Sequence, residues 1–465
     1  MGTGGSSRAM QGGILNTIQK QTHKKDSSVK TVRASLIGTV VEYYDFGIYG
    51  YMATVLAALF FVKDDPAAGL LGTFATFAVA FIVRIPGGIL FGHIGDKYGR
   101  KRALSLTILL MAGATAAIGM LPGYVTLGVW ATAILVLCRC IQGIAAGGEL
   151  GGAMAFVAEK SPAHARGFQT SVVNAGTYLG SLSASLVALL LNTVFTPEQV
   201  LEIAWRIPFL LSLVLGLVGV WLRTQLHDTE SFLEMQAKNE IAEVPFKALV
   251  SNARGTIVKI TGLGAFIVGG YYVCSIYAAS YMQTSGHLTA QQAFWSTCVA
   301  LTVGVGVLML SGYLGDRFGR KRMMAIGVVV GLVGGVPAFM LMASGTPFLA
   351  TCGQVLLVGA VATVSGSSFS TYAELLEPQY RYTGIALGNN LTNLTLGGTA
   401  PFFCELLVRT TGSSLSPAFY MVGCAAITAL ALFFIPETSP AKRKRVTAAE
   451  PGTADLPVKP LPPRR

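Results

Sequence analysis

The sequence predicts an all-α membrane protein of about twelve transmembrane helices in two pseudo-symmetric six-helix bundles. Three observations carry that expectation. Of 465 residues 52% are hydrophobic and only 12% charged, where soluble domains carry about 25% charged residues. Apolar runs of roughly 20 residues, each long enough as a helix to cross a ~30 Å hydrocarbon layer, recur along nearly the whole chain. The octet GDKYGRKR at 95–102 returns as GDRFGRKR at 315–322, 220 positions later, as an internal duplication would place it.

In order, the first half predicts spans over 34–61, 69–92, 103–121, 125–158, 169–192 and 206–223. The second predicts 255–284, 293–314, 323–343, 348–376, 383–410 and 417–436. Each octet falls between the second and third helix of its half. The domains expected are a tail (1–33), a bundle (34–223), a polar linker (224–254), a second bundle (255–437) and a disordered tail (438–465) rich in Pro, Ala and charge.

Lys and Arg collect in cytoplasmic loops. With the amino terminus inside, the inside segments hold the tail to Arg33, both octets, the stretch from Arg223 to Lys259 and Lys442–Arg445. The outside loops keep little more than Lys63, Arg206 and Arg409. The net charge of +12 is therefore read as a topological marker rather than a nucleic-acid footprint. The leading 33 residues lack the apolar core of a signal peptide. A multi-pass plasma-membrane protein with both termini cytoplasmic is expected, and a monomer.

Catalytic chemistry is not legible. The seven cysteines fit neither a disulfide framework nor a zinc site, and the five histidines lack partners at ligand spacing. No GxxxxGK[ST] or nucleophile elbow occurs. The runs at Gly147–Gly152 and Gly397–Gly398 read as close helix packing before nucleotide binding. No metal, no cofactor and no enzymatic activity are expected.

The octets themselves resemble the signature loop of the major facilitator superfamily. VVEYYDFGIYGY in helix one, FIVRIPGGILFGHIGD in helix two, RCIQGIAAGGELGGA in helix four, WRIPF, LHDTESF and YAELLEPQYRYTG extend the likeness over 34–437. They are similar to the metabolite:proton symporter branch, which holds proline/betaine, shikimate, citrate and 2-oxoglutarate permeases. The resemblance implies two bundles rocking about a central cavity. Within that picture Gly95, Asp96 and Arg100, and Asp316 with Arg320, form a conformational latch whose acids bind a neighbouring helix terminus. Lys101, Arg102, Lys321 and Arg322 are read as topology alone.

Charges at membrane depth cost several kcal/mol unless they face a cavity or a partner. Gly38, Glu42, Asp45 and Tyr49 share one face of helix one, and Arg139, Gln142, Ala146 and Glu149 share one face of helix four. Proton coupling needs an acid whose proton affinity changes with state. Loss of water strengthens that affinity and a nearby guanidinium weakens it. Asp45 is the expected carrier, Arg139 its partner and Glu42 the reserve; the alternative is a permanent structural ion pair. Arg84 is read as structural.

For the solute, the candidate contacts are Arg139, Gln142, Tyr49, Asn174, Thr177, Tyr272, Asn389 and Asn393, with Ser181, Ser185, Thr392, Tyr271, Tyr277 and Tyr281 beside them. Tyrosine faces attract ammonium groups and arginine clamps carboxylates. A small zwitterion such as proline or glycine betaine, or else a carboxylate metabolite, is the expected cargo; polar residues satisfying one another between helices is the plainer reading. Proton-driven uptake leads over proton-coupled efflux, because residues 169–192 contain no proline of the kind exporter motifs carry there, and over a non-transporting sensor.

Overall fold

The computed structural model describes residues 35–61, 65–98, 100–147, 149–224, 246–377 and 381–440. The leading tail, most of the linker and the trailing tail lie outside the described residues, as do the side chains of Gly95, Asp96, Arg100 and Glu149.

Among the described residues twelve helical segments follow in order, eight of them long and apolar enough to cross a membrane and a ninth if the bent pair Pro197–Ala204 and Arg206–Trp221 is one span. The first, α1, covers 35–60 with a turn at Met52 and holds Glu42 and Asp45. After it come α2 (Ala67–Phe91), α3 (Ser105–Met120) and α4 (Val129–Ala145). Then α5 (Ala163–Val194) precedes α6 (Arg206–Trp221), which is bent by 49° from the short helix Pro197–Ala204. The second half has α7 (Ala253–Thr284), α8 (Ala290–Phe318), α9 (Arg320–Met342), α10 (Pro347–Leu375), α11 (Thr383–Thr411) and α12 (Ser416–Phe433). A helical segment lies within each expected span, with shifted ends and, over 125–158, a break.

The duplication shows in the packing. Helix α2 lies on α4 and α3 on α6, just as α8 lies on α10 and α9 on α12. Between the halves, α5 runs along α8 and α2 along α11. Polarity is arranged for a lipid solvent. Trp130, Phe348 and Phe433 are exposed at the rim, while Glu42, Asp45, Arg84 and Arg139 are almost fully buried.

The largest departure from expectation is helix four. The continuous span predicted over 125–158 is broken: α4 stops at Ala145, turns through Ala146 and Gly147, and resumes as Glu149–Lys160. The cause is close backbone contact with α2. A Cβ on Gly143 would lie 2.0 Å from the Ala80 carbonyl, and one on Gly147 would lie 2.2 Å from the Gly88 nitrogen. Gly147 is thus a packing glycine, as the plainer sequence reading held. The break leaves carbonyls without intrahelical partners, and two of them are taken from outside. Arg84 Nε donates to Ala146 O (3.0 Å), and Asn390 Nδ2, from the other half, donates to Gly147 O (2.9 Å).

Three further irregularities, in two helices, face the same interior. Helix α7 contains the wide π segments Ala265–Gly269 and Tyr272–Tyr277, and α11 contains Asn393–Gly397. Such widenings concentrate at functional sites; here residues 271–282 of α7 are all buried.

Candidate functional site

The polar interior is built around α1. Positions three apart on a helix diverge by about 60° at 3.6 residues per turn, so one stripe can meet different neighbours. Glu42 turns toward α2, where Arg84 Nη2 donates to its Oε1 in an ion pair that is 2% exposed on both sides. Asp45 turns toward α6, where the Ser212 hydroxyl donates to Oδ1; its other oxygen, Oδ2, is buried without a hydrogen-bond partner. In this arrangement the ion pair on the stripe joins Glu42 to Arg84, and Asp45 accepts a hydrogen bond from Ser212.

Arg139 reaches Asp45 only through intermediates. Its Nη1 donates to Gln142 Oε1 (2.6 Å), and Gln142 Nε2 donates to Thr115 Oγ1 (2.6 Å). Thr115 lies beside Asp45 and donates its own proton to Met111 O at 2.9 Å. Arg139 Nη2 donates to Phe77 O (3.3 Å), while Nε is buried without a partner. Its guanidinium lies 4.3 Å from the Tyr49 ring centroid, 4.9 Å from Phe77 and 5.2 Å from Phe46. An arginine layered on rings keeps its charge with few hydrogen bonds, which leaves donors for an incoming anion.

The aromatic wall crosses the junction between the halves. Phe77 and Phe81 of α2 meet Tyr272 of α7 edge-on, with centroids 5.8 and 5.3 Å apart. Tyr43 of α1 and Tyr178 of α5 meet Tyr271 at 5.8 and 5.2 Å. Tyr271 donates to Thr177 O (2.9 Å), and Ser181 closes on the Tyr271 hydroxyl at 2.6 Å.

Other expected solute contacts have structural partners in this conformation. Asn174 Nδ2 donates to Ser365 Oγ (2.8 Å) across the junction, and Thr177 donates to Asn174 O (2.8 Å). Thr392 is held by Gly388 O, and Asn393 Nδ2 by Asn389 O (2.9 Å), which leaves Asn393 Oδ1 buried and unpartnered. Ser185 and Tyr281 point at backbone carbonyls, of Phe294 (3.4 Å) and Ser414 (2.9 Å).

Both ends of the path are closed by contacts between the halves. At the octet end Asp316 accepts the Gly167 and Phe168 N–H groups (3.0 Å each) at the start of α5, and Arg320 donates to it through Nε (3.1 Å) and Nη2 (2.7 Å). Glu374 bridges Arg320 (2.7 Å) and Arg166 (2.8 Å), and Glu159 meets Arg381 at 3.3 Å. At the opposite end Arg409 pairs with Asp65 at 2.5 Å. The side chains of the first octet lie outside the described residues, so only its second copy has a geometry. Thr115, Ser212, Asn390 and Glu405 were not singled out from sequence, where Arg84 is read as structural alone. A buried acid and a buried base at helical spacing are visible there, but their rotation relative to neighbouring helices is not.

A charged and aromatic path between two six-helix bundles, closed at each end by separable polar contacts, defines a multi-pass membrane transport protein rather than an enzyme. Residues 35–401 and 262–463 match the Major Facilitator Superfamily, and the chain belongs to that family. It is 32% identical over 439 residues to a proline/betaine transporter of Salmonella typhimurium, covering 92% of this chain and 86% of the relative. To the glycine betaine/proline/ectoine/pipecolic acid transporter OusA of Dickeya dadantii it is 33% identical over the same shares. To the inner membrane metabolite transport protein YhjE of Escherichia coli it is 32% identical, covering 89% of this chain and 95% of the relative. Among solved structures it superimposes on the proton:xylose symporter XylE bound to 6-bromo-6-deoxy-D-glucose with a TM-score of 0.72, at 18% identity over 90% of this chain and 97% of that one. A partially occluded inward-open form of XylE from E. coli gives 0.70 at 20% identity over 89% and 99%.

Proposed function

We propose that the protein is a proton-driven symporter that takes up a small zwitterionic osmolyte of the proline or glycine betaine kind, with Asp45 as proton carrier. The observation that carries this reading is the state of Asp45: fully buried, one oxygen held by Ser212, the other without a partner. A proton has a place to go on that free oxygen. Arg139 lies at the far end of the Gln142–Thr115 chain, so any movement of α4 relative to α1 changes the field that Asp45 feels. Glu42 is held directly by Arg84 and serves structure.

The zwitterion is supported by chemistry on both sides of the junction. Arg139 offers unused donors to a carboxylate, and the rings around Tyr272 offer faces to an ammonium group. The names of the relatives point the same way. The positive-inside pattern supports octets and both termini in the cytoplasm. With the octet end closed by Asp316 and the opposite end by Asp65, the arrangement is an occluded stage of the cycle.

The test is Asp45→Asn in proteoliposomes. Uphill accumulation of glycine betaine driven by an imposed pH gradient is lost, while counterflow exchange of labelled for unlabelled solute continues. Accumulation that survives the substitution overturns the assignment; extrusion instead of uptake overturns the direction.

A further inference from the structure

Glu405 has no role in the account so far. It lies on α11, is 8% exposed, and among the described residues forms no ion pair. Its one hydrogen bond comes from the Tyr277 hydroxyl at 3.3 Å, long for a hydroxyl donating to a carboxylate, where 2.5–2.7 Å is usual. The nearest guanidinium along the helix, Arg409, is committed to Asp65 at the rim. A carboxyl group at membrane depth without a counter-charge costs several kcal/mol unless it takes on a proton or meets a cation.

The surroundings favour a particular cation. The Tyr277 ring packs on Phe74 of α2 with centroids 5.7 Å apart and on Tyr281 at 6.0 Å. Tyr277 thus meets the carboxylate and is backed by a ring from the other half, and a carboxylate with aromatic faces close by is the combination that holds alkylated ammonium groups. The depth is also telling. Tyr277 is five residues beyond Tyr272 and Glu405 lies one turn short of Arg409, so the group sits roughly one helical turn from the central rings toward the Asp65–Arg409 closure.

We propose that Glu405, Tyr277 and Phe74 form an entry subsite for the cationic end of a zwitterionic solute, between the Asp65–Arg409 closure and the central arginine. The Tyr277 hydroxyl holds the place of the cation while the path is closed and gives way when it opens. This rests on the reading that the cargo is a zwitterion.

The experiment compares glycine betaine with 3,3-dimethylbutanoate, which has the same shape with carbon in place of the charged nitrogen. Dissociation constants are measured on purified protein by intrinsic fluorescence, and KM by proteoliposome uptake. The unaltered protein binds glycine betaine more tightly than its carbon analogue. In Glu405→Gln the constant for glycine betaine rises about tenfold, equivalent to about 1.4 kcal/mol, and that for the analogue stays within about twofold; Glu405→Asp retains most of the preference. Tyr277→Leu, which removes the ring, weakens glycine betaine several-fold and carries the test should Glu405→Gln fail to fold. Equal binding of glycine betaine by the unaltered protein and Glu405→Gln overturns the subsite and leaves the cargo reading intact. Loss of pH-driven accumulation for both solutes with unchanged binding overturns it in favour of a proton-carrying role. If the unaltered protein binds neither solute, or binds them equally, the zwitterion reading falls first and the subsite with it.

Discussion

Asp316→Asn tests the closure at the octet end. Of the four hydrogen bonds the Asp316 carboxylate accepts, two come from Arg320, four residues along in the same half, and move with it. The other two come from Gly167 and Phe168 and must break when that end opens. Hydrogen bonds to a charged group contribute roughly 1.5–3 kcal/mol each, and a negative charge at a helix start adds about 0.3–1 kcal/mol. Asparagine keeps a neutral acceptor, and water replaces the lost bonds in the open form, so the difference between states falls by about 2 kcal/mol, or roughly 30-fold in the closed-to-open ratio. Spin labels on His164→Cys and Arg322→Cys in a cysteine-free background report the separation across that end by pulsed electron resonance. The expected result is a new population at longer distance. An unchanged distribution in correctly inserted protein refutes the reasoning, because it means the two inter-half bonds carry no net preference for closure.

Three further outcomes are expected. Arg84→Met leaves Glu42 buried without its ion-pair partner and costs about 3–5 kcal/mol in thermal unfolding, while the joint change with Glu42→Gln recovers much of it; additive losses contradict this. Gly143→Ala forces a methyl toward the Ala80 carbonyl and costs about 1–3 kcal/mol through overpacking, read as a lower melting temperature; unchanged melting shows that α2 and α4 separate freely. Asp65 is held below its ordinary 3.8 by the Ala68 N–H it caps and by Arg409, so its charge is lost only as pH falls through that lowered value. Between about pH 5 and 8 the bridge to Arg409 stays constant, and Asp65→Asn rescales uptake without reshaping its pH profile. A change of profile in that window assigns the bridge a coupling role.

What the sequence by itself determined is the solvent, the helical class and the repeat. Apolar runs must pair their backbone groups internally and so become helices in lipid, and the recurring octet marks equivalent corners of the two halves. It also determined that Glu42, Asp45 and Arg139 face inward, because no charge survives on a lipid-facing stripe. Which acid meets which base was decided by the tertiary structure alone. A stripe defines a face, but partners depend on how neighbouring helices cross and rotate, and a shift of tens of degrees separates Glu42 at Arg84 from Asp45 at Ser212. The break in α4 has the same origin. Gly147 permits it, yet the pressure of the α2 backbone, and the two side chains that take up the freed carbonyls, come from residues distant in the chain.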